Sequence, residues 1–597
     1  MEYQVQFGSL NAKALSAKPG KSFRIGVLGD FSARGNLGRV EIGDALATRK
    51  PLRVTHENVD ELLARLDVHL QLPAGASGAM IDVPIRSLDD FHPDQLYSNV
   101  PLFEKLVSLR QKLQDPTTFP KAASAVQSLV GGEQQIPAPV VTRSSSSRIP
   151  RGRIESFADL IKQDVPPQQA GELKTLLRDV VGKHIVPEMK GQAELLAALD
   201  QSLSDLMRRV LHHPDFQALE SLWRSLDLLL HRLEIDSELE LVLYDINAAE
   251  MAADLSATDS LENTGLYRWL VEAPSMDANQ GPLSILICNF MFEQIPPHAE
   301  LLARIAKIAG TATAPFIAAI DCAVMQKQDP ETIHPLVKQS WDSLRGLPEA
   351  NYLALVTPRF MLRWPYGKKT EPIESFALEE FTAKSGLSGM LWGNSAFLAG
   401  LVIAQTYAND GLGGMKLGSL LTVDDIPFYY YNDADGDQIA LPCTERLVNV
   451  RASQTISQQG FVPALSIQGR PEVRLGGLHS LTGKPLAGPW APLKIDGSQA
   501  APMTSTTTTA TPAESAVATP APASAASVDD ELDSLLSGLD DAPASSSPPP
   551  PDAENSAEEA AADELDNLLA SMDSADSAKA ADEGDVDADL ASLLADL

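Results

Sequence analysis

Residues 211–272, LHHPDFQALESLWRSLDLLLHRLEIDSELELVLYDINAAEMAADLSATDSLENTGLYRWLVE, constrain the fold more than any other stretch. Pro214 follows His212 and His213 and suits the first turn of a helix, where its missing N–H costs nothing. Phe216, Leu219, Leu222, Trp223, Leu226, Leu229, Leu230 and Leu233 then recur at helical spacing and form one apolar face. ELELVLYDI alternates as a strand does, and a second helical stretch follows.

The same alternation of element types runs through the rest of the chain. Residues 1–115 read as an α/β unit. SFRIGVLGDF is a continuous apolar run that suits a buried strand. PLRVTHENVDELLARL holds a strand and then a helix, with Asn58 as its N-cap and Glu61 completing a capping-box pattern. Val59, Leu62, Leu63 and Leu66 mark its buried face. IDVPIRSLDDFHPDQL gives a strand, a turn at 89–93 and another helix. Beyond residue 272, LSILICNFMF (283–292), APFIAAID and YLALVTPRF are further buried strands, separated by helices near 298–309 and 330–346. This order predicts a mostly parallel sheet with helices on its faces. Gly400 and Ala404 among Leu401, Ile403 and Tyr407 predict a tightly packed core helix, and 460–478 a terminal strand.

Two segments break the pattern. Residues 116–199 form a linker with helical segments, and SLVGGEQQIPAPVVTRSSSSRIPRGR within it reads as flexible. From residue 495 the chain is low in complexity and reads as disordered. The formal charge is −33, and residues 527–597 hold 21 acidic residues and one lysine, so about 20 of those charges sit in the tail. Three segments repeat there: DDELDSLLSGLDD, ADELDNLLASMDS and VDADLASLLADL. Each places four apolar residues on one helical face: Leu532, Leu535, Leu536 and Leu539; Leu565, Leu568, Leu569 and Met572; Leu590, Leu593, Leu594 and Leu597. These are candidate partner-binding residues, forming short helices on a hydrophobic groove. A solubilising acidic brush is the competing explanation.

Catalytic chemistry finds little support. GVLGDFSARGNLG lacks the Lys-Ser/Thr of a phosphate loop. NDADGDQIALPCTE has its glycine fourth and Glu445 thirteenth, counted from Asp433, which is wrong for a calcium loop, and reads as a turn between strands. Adjacent His212 and His213 diverge on a helix and cannot easily share an ion. No catalytic, cofactor-binding or metal residues are assigned, and the chain is not expected to be an enzyme. Its mildly acidic body gives no basic face for nucleic acid. No apolar run is long enough to span a membrane. MEYQVQFGSL lacks the pattern of a signal peptide, and Cys288, Cys322 and Cys443 read as free thiols, so the expected location is cytoplasmic.

The stretch HHPDFQALESLWRSLDLLL, with LELVLYDI, AAEMAADL and TGLYRWLVE, resembles the large subunit of the type VI secretion contractile sheath. RIGVLGDFSARG, RVTHENVDELLARL and PIRSLDDFHPDQLYSNVPLFEKLVSLRQKL resemble its small subunit. The two resemblances cover about residues 1–115 and 200–490. They imply two sheath-type α/β domains, 1–115 and 200–494, sharing or interlocking sheets, with the disordered acidic tail at 495–597. They also imply a structural subunit that polymerises as a helical homo-oligomer around an inner tube and contracts to propel it. A baseplate and an AAA+ unfoldase are implied partners. A non-polymerising accessory or adaptor built on sheath folds is the alternative. In the family, neighbouring units lend strands to each other, and the alternation of Tyr3, Val5 and Phe7 makes the N-terminus a candidate exchanged strand.

Overall fold

A computed structural model describes residues 7–10, 22–73, 80–130, 147–153, 191–276, 281–321, 333–382, 386–432, 438–467 and 469–491, with seven further positions between 157 and 185. The acidic tail, Tyr3, Val5 and Cys322 lie outside the described residues.

The apolar runs become strands: β1 (Phe23–Gly29), β2 (Leu52–Val54), β3 (Val68–Pro73), β4 (Met80–Ile85), β5 (Leu239–Asp245), β6 (Ile285–Phe292), β7 (Phe316–Ile320) and β8 (Leu353–Thr357). Later come β9 (Phe360–Met361), β10 (Trp392–Gly393), β11 (Thr422–Asp424), β12 (Tyr429–Asn432), β13 (Gln438–Leu441), β14 (Val462–Ser466) and β15 (Glu472–Leu475). Nine of them form one sheet in the order β11-β15-β14-β8-β7-β6-β1-β5-β2. The central run from β14 to β5 is parallel, and β2, β15 and β11 pair antiparallel at the margins. Every residue of β1, β6, β7 and β8 is buried. That is why these strands read as unbroken apolar runs: a parallel sheet is covered on both faces.

The helices include α1 (Val59–Leu66), α2 (Pro93–Asn99), α3 (Pro101–Gln114), α4 (Gln192–Leu211), α5 (Pro214–Arg232), α6 (Ala248–Ser256), α7 (Pro296–Ala312), α8 (Pro335–Arg345) and α9 (Ala396–Gly414), of which α7 and α9 lie on the central strands. In α5, Pro214 occupies the first position and the His213 ring accepts a hydrogen bond from Asp215 N at 3.2 Å. All eight residues of its apolar stripe are buried. In α9, a Cβ at Gly400 would stand 2.2 Å from Ile287 Cδ1, so helix and sheet touch almost backbone to side chain.

Two expectations fail. Asn58 precedes α1 but does not cap it: its Oδ1 accepts from Thr55 N at 2.8 Å, a local turn that competes with the cap. The capping box forms at α6 instead, where Asn247 Oδ1 accepts from Glu250 N and Glu250 Oε2 accepts from Asn247 N. The other failure is at residues 147–153, which are docked onto the body. Met291 N donates to Ser147 O at 2.7 Å and Ile149 N donates to Met291 O at 3.2 Å. Arg148 reaches Glu293 and Asp321, and Arg151 pairs with Glu293 at 2.8 Å. Ion pairs hold a segment whose Ser, Pro and Arg composition reads as a linker. The hairpin β12–β13 pairs Asn432 with Gln438, and the acidic turn between them lies outside the described residues.

Candidate functional site at the seam between the two regions

β1 comes from the N-terminal region but lies inside the sheet of the body. Phe23–Gly29 pairs residue by residue with Leu239–Asp245 on one side, and Ile25–Leu28 pairs with Ile285–Cys288 on the other. β2, from the same region, closes the margin against β5. The N-terminal region therefore supplies two of the nine strands.

Polar contacts then fasten the two regions. Arg49 Nη2 pairs with Glu41 at 2.6 Å and with the buried Glu250 at 2.5 Å. Arg34 lies 3.1 Å from both Glu41 and Glu250, although its Nε is not aligned for a hydrogen bond to Glu250. Ser32 Oγ donates to Asp245 Oδ2 at 2.7 Å. Burial pushes the Glu41 carboxyl up, but Arg49 and Arg34 outweigh it and hold Glu41 below its ordinary value. Asp30 goes the other way: burial, with the nearby charge of Asp245, drives its carboxyl well above the ordinary range against hydrogen bonds from Gly35 and Arg34 N–H. Asp254 accepts from Gly43 N at 2.7 Å, Gly265 N at 2.9 Å and Leu266 N at 2.8 Å, so one carboxylate ties the loop before residue 44 to the body. Any Cβ at Gly265 would meet Gly43 O at 2.5 Å, which only glycine avoids.

The apolar seam runs along α5. Phe31 packs edge-on against Trp223 at 5.3 Å, and the indole N–H donates to Phe31 O at 3.2 Å. Phe91 meets Phe216 at 5.7 Å. Asn36 Nδ2 donates to the buried Asp215 at 2.8 Å. Further out, Asp94 accepts from Glu374 N, Ser375 N and Ser375 Oγ, Tyr97 stacks on Phe376, and Arg110 pairs with Asp200 at 2.6 Å.

A second cluster lies wholly within the body. Arg363 holds two buried carboxylates: Glu220 at 2.7 Å through Nε and Glu380 at 2.7 Å through Nη1. Arg224 also pairs with Glu220 at 2.7 Å, and the Arg363 guanidinium lies 4.1 Å over the Tyr366 ring. Burial opposes the Arg363 charge, but Glu220 and Glu380 raise its pKa well above the ordinary value.

Of the candidate partner-binding and strand-exchange residues read from sequence, Phe7 alone is described. It is half-buried beside Gly8–Leu10. Ser9 forms a parallel bridge with Ser260, and Gly8 O accepts from Lys307 Nζ at 2.6 Å. The sequence marks Phe216 and Trp223 as an apolar face but not their seam partners, because the contacts across the seam join residues 90 to 281 positions apart. Cys288 and Cys443 are buried free thiols, and burial pushes Cys288 up to about 12. Among the described residues no helix is long and apolar enough to cross a membrane.

Residues 193–482 match the family model VipB, described as EvpB/VC_A0108, tail sheath N-terminal domain. Residues 3–130 match the model T6SS_VipA, described as type VI secretion system, VipA, VC_A0107 or Hcp2. The type VI secretion system sheath protein TssC1 of Pseudomonas aeruginosa is 29% identical over 336 residues, which cover 52% of this chain and 67% of that protein. The boundary between the two matches coincides with the seam: β1–β4 fall in the first, and β5 onward in the second. The chain belongs to the type VI secretion sheath family, with a small-subunit region and a large-subunit region joined in one polypeptide.

Proposed function

We propose that this chain is a non-enzymatic, cytoplasmic structural subunit that polymerises into a contractile sheath around an inner tube and contracts to propel it. The observation that carries this reading is the place of β1 between β5 and β6. A single chain thereby presents a complete building block, with its two regions already paired. Joining them fixes their ratio and makes their pairing intramolecular, at high effective concentration. Such a subunit works through surfaces, and the free energy of contraction would reside in repeated interfaces with other copies, the inner tube and a baseplate.

The N-terminus is proposed as the strand that passes to a neighbour, with Tyr3, Val5 and Phe7 as its contact residues. The Ser9–Ser260 bridge and the Lys307–Gly8 hydrogen bond support this reading, because they hold the residues just after the proposed strand on the body. Deleting residues 1–6 spares those contacts. It is expected to leave a protomer that melts like the wild type but forms no tubes or ring stacks by electron microscopy. Normal tubes from the deletion would remove the strand-exchange reading. Uniform small particles from the wild-type chain under all assembly conditions would favour the adaptor instead.

The three leucine motifs of the tail are proposed as docking helices that act by avidity, with a recycling AAA+ unfoldase as the candidate partner. Changing Leu535, Leu568 and Leu593 together to Asp is expected to abolish capture of the unfoldase by residues 525–597. Equal capture by both forms would favour the acidic brush.

A further inference from the structure

His56 and His231 face each other across the seam. His56 lies in the loop between β2 and α1, in the small-subunit region, and His231 lies in the last turn of α5. Their Nε2 atoms are 3.2 Å apart, and the rings stand at 72° with centroids 4.7 Å apart. The ring centres are too close for both ring axes to lie along the N···N line, so the contact, which still meets hydrogen-bond geometry, is not aligned at both ends. The nitrogen separation also fits another arrangement. Two imidazole nitrogens at about 2.0–2.1 Å from one tetrahedral ion lie roughly 3.3 Å from each other.

The rest of the surroundings prepare His231 as a ligand. Its Nδ1 is 3.0 Å from Asp227 O and 3.1 Å from Asp227 Oδ1. Nδ1 therefore carries the proton and donates it to Asp227, leaving the Nε2 lone pair directed outward. A carboxylate behind a ligating imidazole fixes both tautomer and ring orientation. The His231 side chain is 56% exposed, so an ion can reach it from solvent. Among the described residues no third His, Cys, Asp or Glu completes a group of three, which leaves the remaining positions to water.

We propose that His56 and His231 chelate one divalent transition-metal ion, of the zinc, nickel or copper class, and so clamp the small-subunit region to α5. Neutral imidazole is the ligand these ions share. The ion binds the docked arrangement of both regions, so it stabilises the seam by mass action.

The test uses the full chain without an affinity tag. Zinc titrated by calorimetry is expected to fill one site per chain, and zinc is expected to raise the melting midpoint. With copper, the electron paramagnetic resonance spectrum is expected to show nitrogen couplings from two imidazoles. His56→Ala and His231→Ala, both changes at exposed positions, are each expected to weaken zinc binding at least about tenfold and to abolish the midpoint shift. The proposal is overturned if the wild type binds no zinc at micromolar concentration. It is equally overturned if either alanine variant binds as tightly as the wild type.

Discussion

Arg363→Ala is expected to destabilise the folded chain by about 3–5 kcal/mol, read as a fall in the urea midpoint. The size follows from what is left behind. Arg363 is the cation that meets both Glu220 and Glu380, whose side chains are 0% and 1% exposed. Glu220 retains Arg224 at 2.7 Å. Glu380 keeps the Tyr366 N–H at 2.8 Å and faces His212 Nε2 at 3.8 Å, neither of which replaces a bidentate guanidinium. The loss should depend on pH in a defined direction. In the wild type burial pushes the Glu220 carboxyl up, but Arg363, with Arg224, outweighs it and holds that carboxyl below its ordinary value, so the stability this pairing contributes is present above that value and is lost as pH falls. The destabilisation is therefore greatest at neutral and alkaline pH and shrinks on acidification. Arg363→Ala combined with Glu380→Gln should recover part of the loss at neutral pH. A midpoint within experimental error of wild type would show that the cluster contributes nothing to folding.

Trp223→Ala is expected to cost about 3–5 kcal/mol, and the loss should fall on the seam. The indole is fully buried, packs edge-on against Phe31, and donates to Phe31 O. At the adjacent residue of the helix the contact is just as close: a Cβ at Gly29 would stand 2.8 Å from Leu222 Cδ2. Removing the indole opens a cavity between β1 and α5 and leaves the Phe31 carbonyl without its donor. A protease site placed within residues 131–146 gives a direct readout. After cleavage, the wild-type halves are expected to elute together in gel filtration, whereas the Trp223→Ala halves separate. Trp223→Phe keeps most of the volume and should cost only about 1 kcal/mol for the lost hydrogen bond. Cleaved Trp223→Ala halves that still travel together would mean that the seam is held elsewhere.

The elements were legible in the sequence where burial alone dictates residue type. Strands β1, β6, β7 and β8 are buried along their whole length and so appear as apolar runs. The stripe of α5 is equally plain. What the sequence hides is partnership. Nothing in FRIGVLG says that it lies between residues 239–245 and 285–292. Arg363 and Glu220 are 143 positions apart, and Arg49 and Glu250 are 201 apart, so no local spacing reveals either pair. Capping was misread for a subtler reason. Asn58-Val-Asp-Glu61 and Asn247-Ala-Ala-Glu250 share one spacing, but the Asn58 side chain turns back to Thr55 while Asn247 turns forward to its helix. The docking of residues 147–153 is not legible because one buried apolar residue, Ile149, makes no pattern, and the ion pairs and backbone hydrogen bonds that complete it reach partners some 140 positions or more away.

The central position of β1 also sets a schedule for biosynthesis. Arg24 and its neighbour Glu240 are separated by 216 residues. At about 5–20 residues per second, a ribosome needs roughly 10–40 s to supply the second after the first. Throughout that interval FRIGVLG has emerged without the two strands that flank it, a state that invites pairing with another nascent chain. The time between first and second half is thus the period in which this polypeptide most needs a chaperone.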